Sequence, residues 1–402
     1  ERGERGEHGE RPSRERGERG EHGERPSAAL SVVFAPDSFK GTLSSVQVAT
    51  AFAAGWARAR PGDELQLAPL ADGGQGTLDA IETAGGWSRR TTIATDPLGR
   101  PISAAFLVEQ DRAIVEMAEA SGLFRLTTAE RDAYGATSRG TGELLLAALE
   151  GGARHVTLGI GGSATTDGGR GLLEGLGASV VGPGGEDHDW SGISVDLATL
   201  DERIVELALE VACDVDNPLL GPRGAAATYG PQKGALPDDV PVLDRRNAAW
   251  ADALEAAAGR AERETAGAGA AGGVGFALLC LADRFGSFAL RPGVELVMEA
   301  IDFDAALENA DVIVTGEGRI DAQTAHGKTA FGVAKRAQAA GVACHAIGGS
   351  VEPEGAAALA RVGCLAIAAN DEPVSLEQAR AAGTGPIEAA ADRLARSLTM
   401  PG

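Results

Sequence analysis

Along this chain, short apolar runs alternate with stretches whose apolar residues recur every three or four positions, the signatures of strands and helices in turn. Residues 30–39, "LSVVFAPDSF", form an apolar strand that ends in a Pro-Asp turn. In "LSSVQVATAFAAGWARA", Val46, Ala49, Phe52 or Ala53, and Trp56 share one helical face. Ser44 and Gln47 have the spacing of a capping box, and Pro61-Gly62 ends the helix. A second strand, "ELQLAPL", runs into the glycine-rich "ADGGQGT". The last third repeats this grammar: strand "ADVIVTGEG", helix "KTAFGVAKRAQAAG", strand "ACHAIGGS", helix "EGAAALARVG" and strand "CLAIAAND". Alternating elements of these lengths predict a parallel sheet covered on both faces.

The middle of the chain differs. "TTIATDPLGRPISAAFLVEQDRAIVEMAEA" alternates like antiparallel strands joined by a Pro-Leu-Gly turn, and "ARHVTLGIGGSATTDGG" is a strand entering a glycine loop and a helix. The expected fold class is therefore α/β with two domains. Both chain ends, residues 28–85 and 291–402, form a parallel-sheet domain, and residues 86–290 form an inserted mixed α/β domain. Residues 1–27 stand apart as a tandem copy of "ERGERGEHGERPSR" with seven Arg against eight Glu and no large apolar residue. Such a segment cannot offset its ordering entropy and is expected to be disordered.

Composition narrows the function classes. Of 402 residues, 44% are hydrophobic and 23% charged, an ordinary globular balance. No apolar run is long enough for a membrane span, and the charged start without an apolar stretch reads as lacking a secretory signal. The four cysteines are scattered without a CxxC pair, which fits reduced thiols in a cytoplasm. A net charge of −22 disfavours nucleic acid and anionic membranes as partners. Against that acidity the chain has only four lysines, and Lys40, Lys233 and Lys328 lie in "SFKG", "PQKG" and "HGKT". A compact ammonium beside glycine backbone suits contact with phosphate or carboxylate.

Three segments combine a strand end, glycines, carboxylates and hydroxyls: Ala71–Thr77 (ADGGQGT), Gly159–Gly169 (GIGGSATTDGG) and Gly316–Lys328 (GEGRIDAQTAHGK). Glycines let backbone N–H groups close on an anion, and a following helix N-terminus adds positive potential. Asp72, Asp167, Glu317 and Asp321 are candidates to ligate Mg²⁺ or to accept a hydroxyl proton. This set of parts is what phosphoryl transfer requires. A Walker A loop is disfavoured because Ala322 stands where its first glycine belongs. Gly159-x-Gly161-x-x-Ala164 fits part of a dinucleotide fingerprint, but the acidic residue expected after the next strand is missing.

These blocks, together with "CDVDNPLLG", "GPQKGA" and "GAGAAGGVG", occur in one order over residues 31–400. In that order the sequence resembles the bacterial glycerate kinases that have neither a P-loop nor a sugar-kinase signature. The resemblance implies ATP-dependent, Mg²⁺-assisted phosphorylation of D-glycerate, with 2-phosphoglycerate as product. It also implies a flavodoxin-like domain, a mixed α/β insertion, and a site in the cleft between them. On this reading Lys40, Asp72 and Asp167 are catalytic, with Asp72 and Asp167 also holding the metal. Asp37, Ser38, Arg319, Asp321 and Lys328 meet substrate. Gly73, Gly74, Gly76, Thr77, Gly161, Gly162, Ser163, Thr165, Gly168, Gly316 and Glu317 meet phosphate or nucleotide. The chain departs from the family pattern at Gln75 (usually Glu), Thr166 (usually Asn) and Asp216 (usually Thr). A kinase for another small hydroxy acid, or a catalytically silent nucleotide- or acid-binding regulator, would keep the same loops.

Overall fold

The computed structural model describes residues 29–182, 190–326, 329–370 and 372–398. The repeat tail and Lys328 lie outside these. In chain order the strands are β1 (Ser31–Pro36), β2 (Glu64–Leu67), β3 (Ser88–Thr95), β4 (Pro101–Glu109), β5 (Arg112–Glu116) and β6 (His155–Gly159). They continue with β7 (Ser179–Val181), β8 (Ser194–Asp196), β9 (Ala208–Ala212), β10 (Ser287–Arg291), β11 (Val312–Ile320), β12 (Ala343–Val351) and β13 (Cys364–Ala368).

The first sheet has the order β13-β12-β11-β1-β2, and every neighbouring pair is parallel. Counted along the chain this is 2-1-3-4-5, the flavodoxin-like doubly wound order. The apolar run of β1 is explained by burial on both faces. Val32 and Phe34 pack with Phe52 and Trp56 of the helix Ser45–Ala59 and with Ile387 and Leu394 of the helix Gly385–Ser397. Val33 and Ala35 point the other way, into a core with Leu78, Ile81, Val297 and Val333.

The second sheet, β10-β9-β6-β5-β4-β3, is mixed. β3 and β4 form the expected antiparallel hairpin, closed where Asp96 and Arg100 meet around Gly99. β5, β6, β9 and β10 run parallel. Leu144, Leu158, Leu172, Trp250 and Phe276 fill the core beneath it. β7 and β8 make a separate antiparallel pair. The chain is thus a mixed α/β protein with one parallel and one mixed sheet.

The local elements follow the sequence pattern with two differences. The Ser44 hydroxyl accepts from Gln47 N and the Gln47 side chain accepts from Ser44 N, so the capping box is formed. The helix it starts buries Val48, Ala49, Phe52 and Trp56, while Val46 is only half-buried. The larger difference concerns Gly316 and Glu317, which the sequence reading puts both at the end of the strand "ADVIVTGEG" and at the start of a glycine loop. They are strand residues, because pairing with β12 continues to Ile320. Gly316 is a point of close packing: a Cβ there would lie 2.4 Å from Ile347 O.

Candidate active site

In an open α/β sheet, ligands bind outside the carboxyl ends of the strands where the order reverses, here between β1 and β11. The chain leaving β1 is shaped for display. Asp37 N donates to Gly316 O of β11, and Phe39 and Leu43 pair across a tight turn in which Gly41 has a φ of 82°. Phe39 is buried beneath this turn and Lys40 stands exposed at its tip. The chain leaving β2 follows alongside, with Ala68 N and Leu70 N donating to Phe34 O and Pro36 O. It delivers Asp72, whose Oδ2 accepts from Lys40 Nζ at 3.0 Å and whose Oδ1 accepts from Gly74 N at 3.2 Å.

Two more carboxylates belong to this group. Asp37, bonded by the Thr329 hydroxyl at 2.8 Å, is held above the usual carboxylate range by burial and then by the charge of Asp72. Asp214, from the loop after β9, accepts from Gly293 N at 3.0 Å and is raised chiefly by burial. Lys40 is pushed the other way from neutrality: the charge of Asp72 holds its ammonium above the ordinary lysine value. One cation among three carboxylates leaves this point negatively charged.

Two clefts meet here, sharing Ser38, Lys40, Asp72 and Asp214. The larger, of about 1310 Å³, lies over the parallel sheet and includes Val294, Val351, Val374, Leu376 and Ile387. Glu317 and Arg319 also border it. The smaller, of about 820 Å³, runs toward the mixed sheet past Gly74, Gly76, Glu116, Gly161, Gly162, Ser163 and Lys233. The ends of β1, β2, β5, β6 and β9 therefore open onto one continuous recess.

The glycine loops do meet, though partly for packing. Gly161 N donates to Gly73 O at 3.1 Å, and a Cβ on Gly161 would lie 2.6 Å from Gly74 Cα. These glycines let the loop after β2 lie directly on the loop after β6. The helix Thr77–Ala84, expected to offer its N-terminus to phosphate, already has an occupant. Glu116, at the end of β5, accepts from Gly76 N at 3.2 Å and Leu78 N at 3.1 Å. Burial raises its carboxyl to about 7. Thr77 is buried and its hydroxyl is turned to Gly74 O. Glu116 was invisible in the sequence, where it sits inside the apolar run "AIVEMAEA".

Asp167, expected to be catalytic and to hold the metal, sits away from the Lys40–Asp72 pair's clefts. It is buried, and its Oδ2 accepts from Ser138 N, the Ser138 hydroxyl and Gly171 N, while Oδ1 accepts from Gly169 N. A carboxylate so occupied anchors its loop, and it borders neither of these two clefts. Gly168 likewise packs on Trp250, whose Nε1 donates to Gly168 O. Thr165 turns its carbonyl to Lys233 Nζ at 2.6 Å. Of the β11 residues, the Glu317 carboxylate accepts from Thr324 Oγ1 at 2.6 Å and Arg319 pairs with Glu352. Asp321 accepts from Gln323 N and borders neither cleft. Among the departures, Gln75 borders the smaller cleft and Asp216 the larger, where it lies 3.4 Å from Arg223. Thr166 is buried, with its hydroxyl bonded to Ala133 O.

Among the described residues no three His, Cys, Asp or Glu side chains are grouped to hold a metal by themselves. Mg²⁺ asks for less, since it is commonly bound by one or two carboxylates plus substrate phosphates. Asp72 and Asp214, beside a half-buried and electrostatically crowded Asp37, have the chemistry for that partial donor set. No helix among the described residues is long and apolar enough to cross a membrane.

This arrangement has counterparts. A family model described as the glycerate kinase family matches residues 32–399. A glycerate kinase of Bacillus subtilis (strain 168) is 44% identical over 331 residues, 80% of this chain and 85% of that protein. A glycerate 2-kinase of Escherichia coli (strain K12) is 40% identical over 317 residues, 77% of this chain and 82% of that protein. A crystal structure of a Salmonella typhimurium LT2 protein, assigned as glycerate kinase 2, superposes with a TM-score of 0.77 at 37% identity, covering 92% of this chain and 98% of that one. With the match spanning nearly every described element of both sheets, the chain belongs to the glycerate kinase family.

Proposed function

We propose that this chain transfers the γ-phosphoryl group of ATP to the 2-hydroxyl of D-glycerate at the junction of the two clefts. The observation that carries the reading is the Lys40–Asp72 pair at that junction, with Asp37 and Asp214 beside it. Glycerate as acceptor is supported by the named relatives. ATP as donor is supported by the larger cleft, whose Val294, Val351, Val374 and Leu376 suit a nucleobase.

The chemistry asked of the protein is positioning and charge neutralisation. The nucleotide enters over the parallel sheet and presents its terminal phosphate to Lys40. The Lys40 ammonium balances negative charge on the transferring phosphoryl oxygens. Asp72 holds Lys40 in place and accepts the proton of the attacking hydroxyl. Ser38, next to Asp37, offers a hydroxyl to the same phosphate. Asp72 and Asp214 would hold Mg²⁺, which would neutralise polyphosphate charge that three carboxylates otherwise repel. Glu317 and Arg319 border the nucleotide side, and Gly161 to Ser163 border the acceptor side.

The test is ADP release by the purified protein with ATP, Mg²⁺ and a panel of small hydroxy acids. The reading expects D-glycerate to give the highest kcat/KM. A preference for another hydroxy acid would reassign the acceptor, and release with none of them would remove the kinase reading.

A further inference from the structure

The smaller cleft contains a second lysine that the reaction described above does not use. Lys233, in the turn Pro231–Lys233 that follows the helix Ala225–Tyr229, is 2% exposed. Its Nζ donates to Ser163 Oγ at 2.8 Å and to Thr165 O at 2.6 Å. An ammonium has three donors, so one remains for a ligand. Both partners are neutral oxygens. The carboxylate whose charge reaches it, Asp167, spends its own oxygens on Ser138, Gly169 and Gly171. Burial therefore dominates and draws Lys233 down to about 7.

Most other charges of the cleft are already engaged; Asp214 accepts from Gly293 N but is not ion-paired among the described residues. Lys40 is paired with Asp72, Asp79 with Arg89, and Glu119 with Arg125, while Glu116 caps a helix. Lys40 and Lys233 are the only cations among the described residues bordering the smaller cleft. Lys233 is absent from the wall of the larger cleft, which takes the nucleotide. A buried lysine held by neutral groups is stabilised in its charged form by any anion that enters.

We propose that Lys233, steadied by Ser163, is the anion anchor of the smaller cleft and receives the carboxylate of the acceptor, so that the enzyme selects hydroxy acids over neutral polyols. This rests on the kinase reading above and adds to it the group that reads the acid.

The test compares D-glycerate with D-glyceramide, its neutral carboxamide analogue, in wild-type protein, Lys233→Met and Lys233→Arg. Lys233→Met lowers kcat/KM for D-glycerate roughly 100-fold, as expected for removing one side of a buried charged contact. It lowers kcat/KM for D-glyceramide by no more than about tenfold and leaves KM for ATP within about threefold, so the preference for the acid collapses, and Lys233→Arg retains part of it. Equal slowing of both acceptors, or a raised KM for ATP with the preference intact, overturns the proposal. If wild-type protein turns over neither compound, the kinase reading fails separately. Calorimetric titration with D-glycerate then decides the anchor: binding to wild type that is lost in Lys233→Met supports it, and binding to both or to neither overturns it.

Discussion

Lys40 Nζ and Asp72 Oδ2, 3.0 Å apart, join the tips of two loops that leave adjacent parallel strands. Their side chains are 76% and 44% exposed, so the pair contributes little to stability. Its position at the meeting point of both clefts is what matters. The fold presents one cation and one carboxylate together where the strand order of the parallel sheet reverses.

Lys40→Ala should lower kcat by roughly 10²- to 10³-fold, the usual effect of deleting a group that stabilises transition-state charge. The melting temperature should stay within about a degree, since the lost ion pair is solvent-exposed. Steady-state kinetics and thermal melts on the same preparation check both halves. A variant with near-full turnover would remove Lys40 from the reaction.

Asp167→Ala should act on folding. Four donors would lose their acceptor in a buried site, which costs about 3–5 kcal/mol. Urea unfolding should show the loss, while the Mg²⁺ concentration for half-maximal activity stays unchanged. Unaltered stability with a raised Mg²⁺ requirement would return Asp167 to the metal.

The legible and illegible parts of this protein divide along physical lines. Local devices were readable: the Ser44–Gln47 box, the β3–β4 turn at Pro97 to Gly99, and the strand–helix alternation that yields the parallel sheet. Lys40 and Asp72 each follow a strand end in a glycine-flanked loop, which singles them out in the sequence, and the structure pairs them. What depends on contacts between distant segments was hidden. The glycine loop read from Gly316 onward begins later, because pairing with β12 keeps the chain in a strand as far as Ile320. Gly73 and Gly161 look like phosphate binders, yet each makes room for the other loop. Asp167 reads as a site carboxylate until Ser138, 29 residues away, is seen to occupy it.

Glu116 should leave a signature in the pH dependence of stability. Its native carboxyl titrates at about 7 rather than the ordinary 4.5. Between those values the folded protein holds a proton that the unfolded chain has released. Stability contributed by Glu116 is therefore full below the lower value and is lost as pH rises through the higher one. Glu116→Gln removes that slope. Its melting temperature, relative to wild type, should rise from pH 4.5 to 8 at low salt; a constant difference would mean that the carboxyl is not perturbed.

Gly161→Ala should push the loops after β2 and β6 apart, because the added Cβ meets backbone 2.6 Å away rather than a movable side chain. A cost of about 1–3 kcal/mol is expected from such overpacking. The accompanying displacement of Asp72 should lower kcat more than it raises KM for ATP. Chemical denaturation and kinetics of the variant check the pair of effects.

Phosphorus NMR of the products formed by the purified protein from D-glycerate, ATP and Mg²⁺ reads the transfer itself. One new phosphomonoester signal, coupled to the proton on C2, should grow in step with ADP. Unconsumed ATP and no glycerate ester would contradict it.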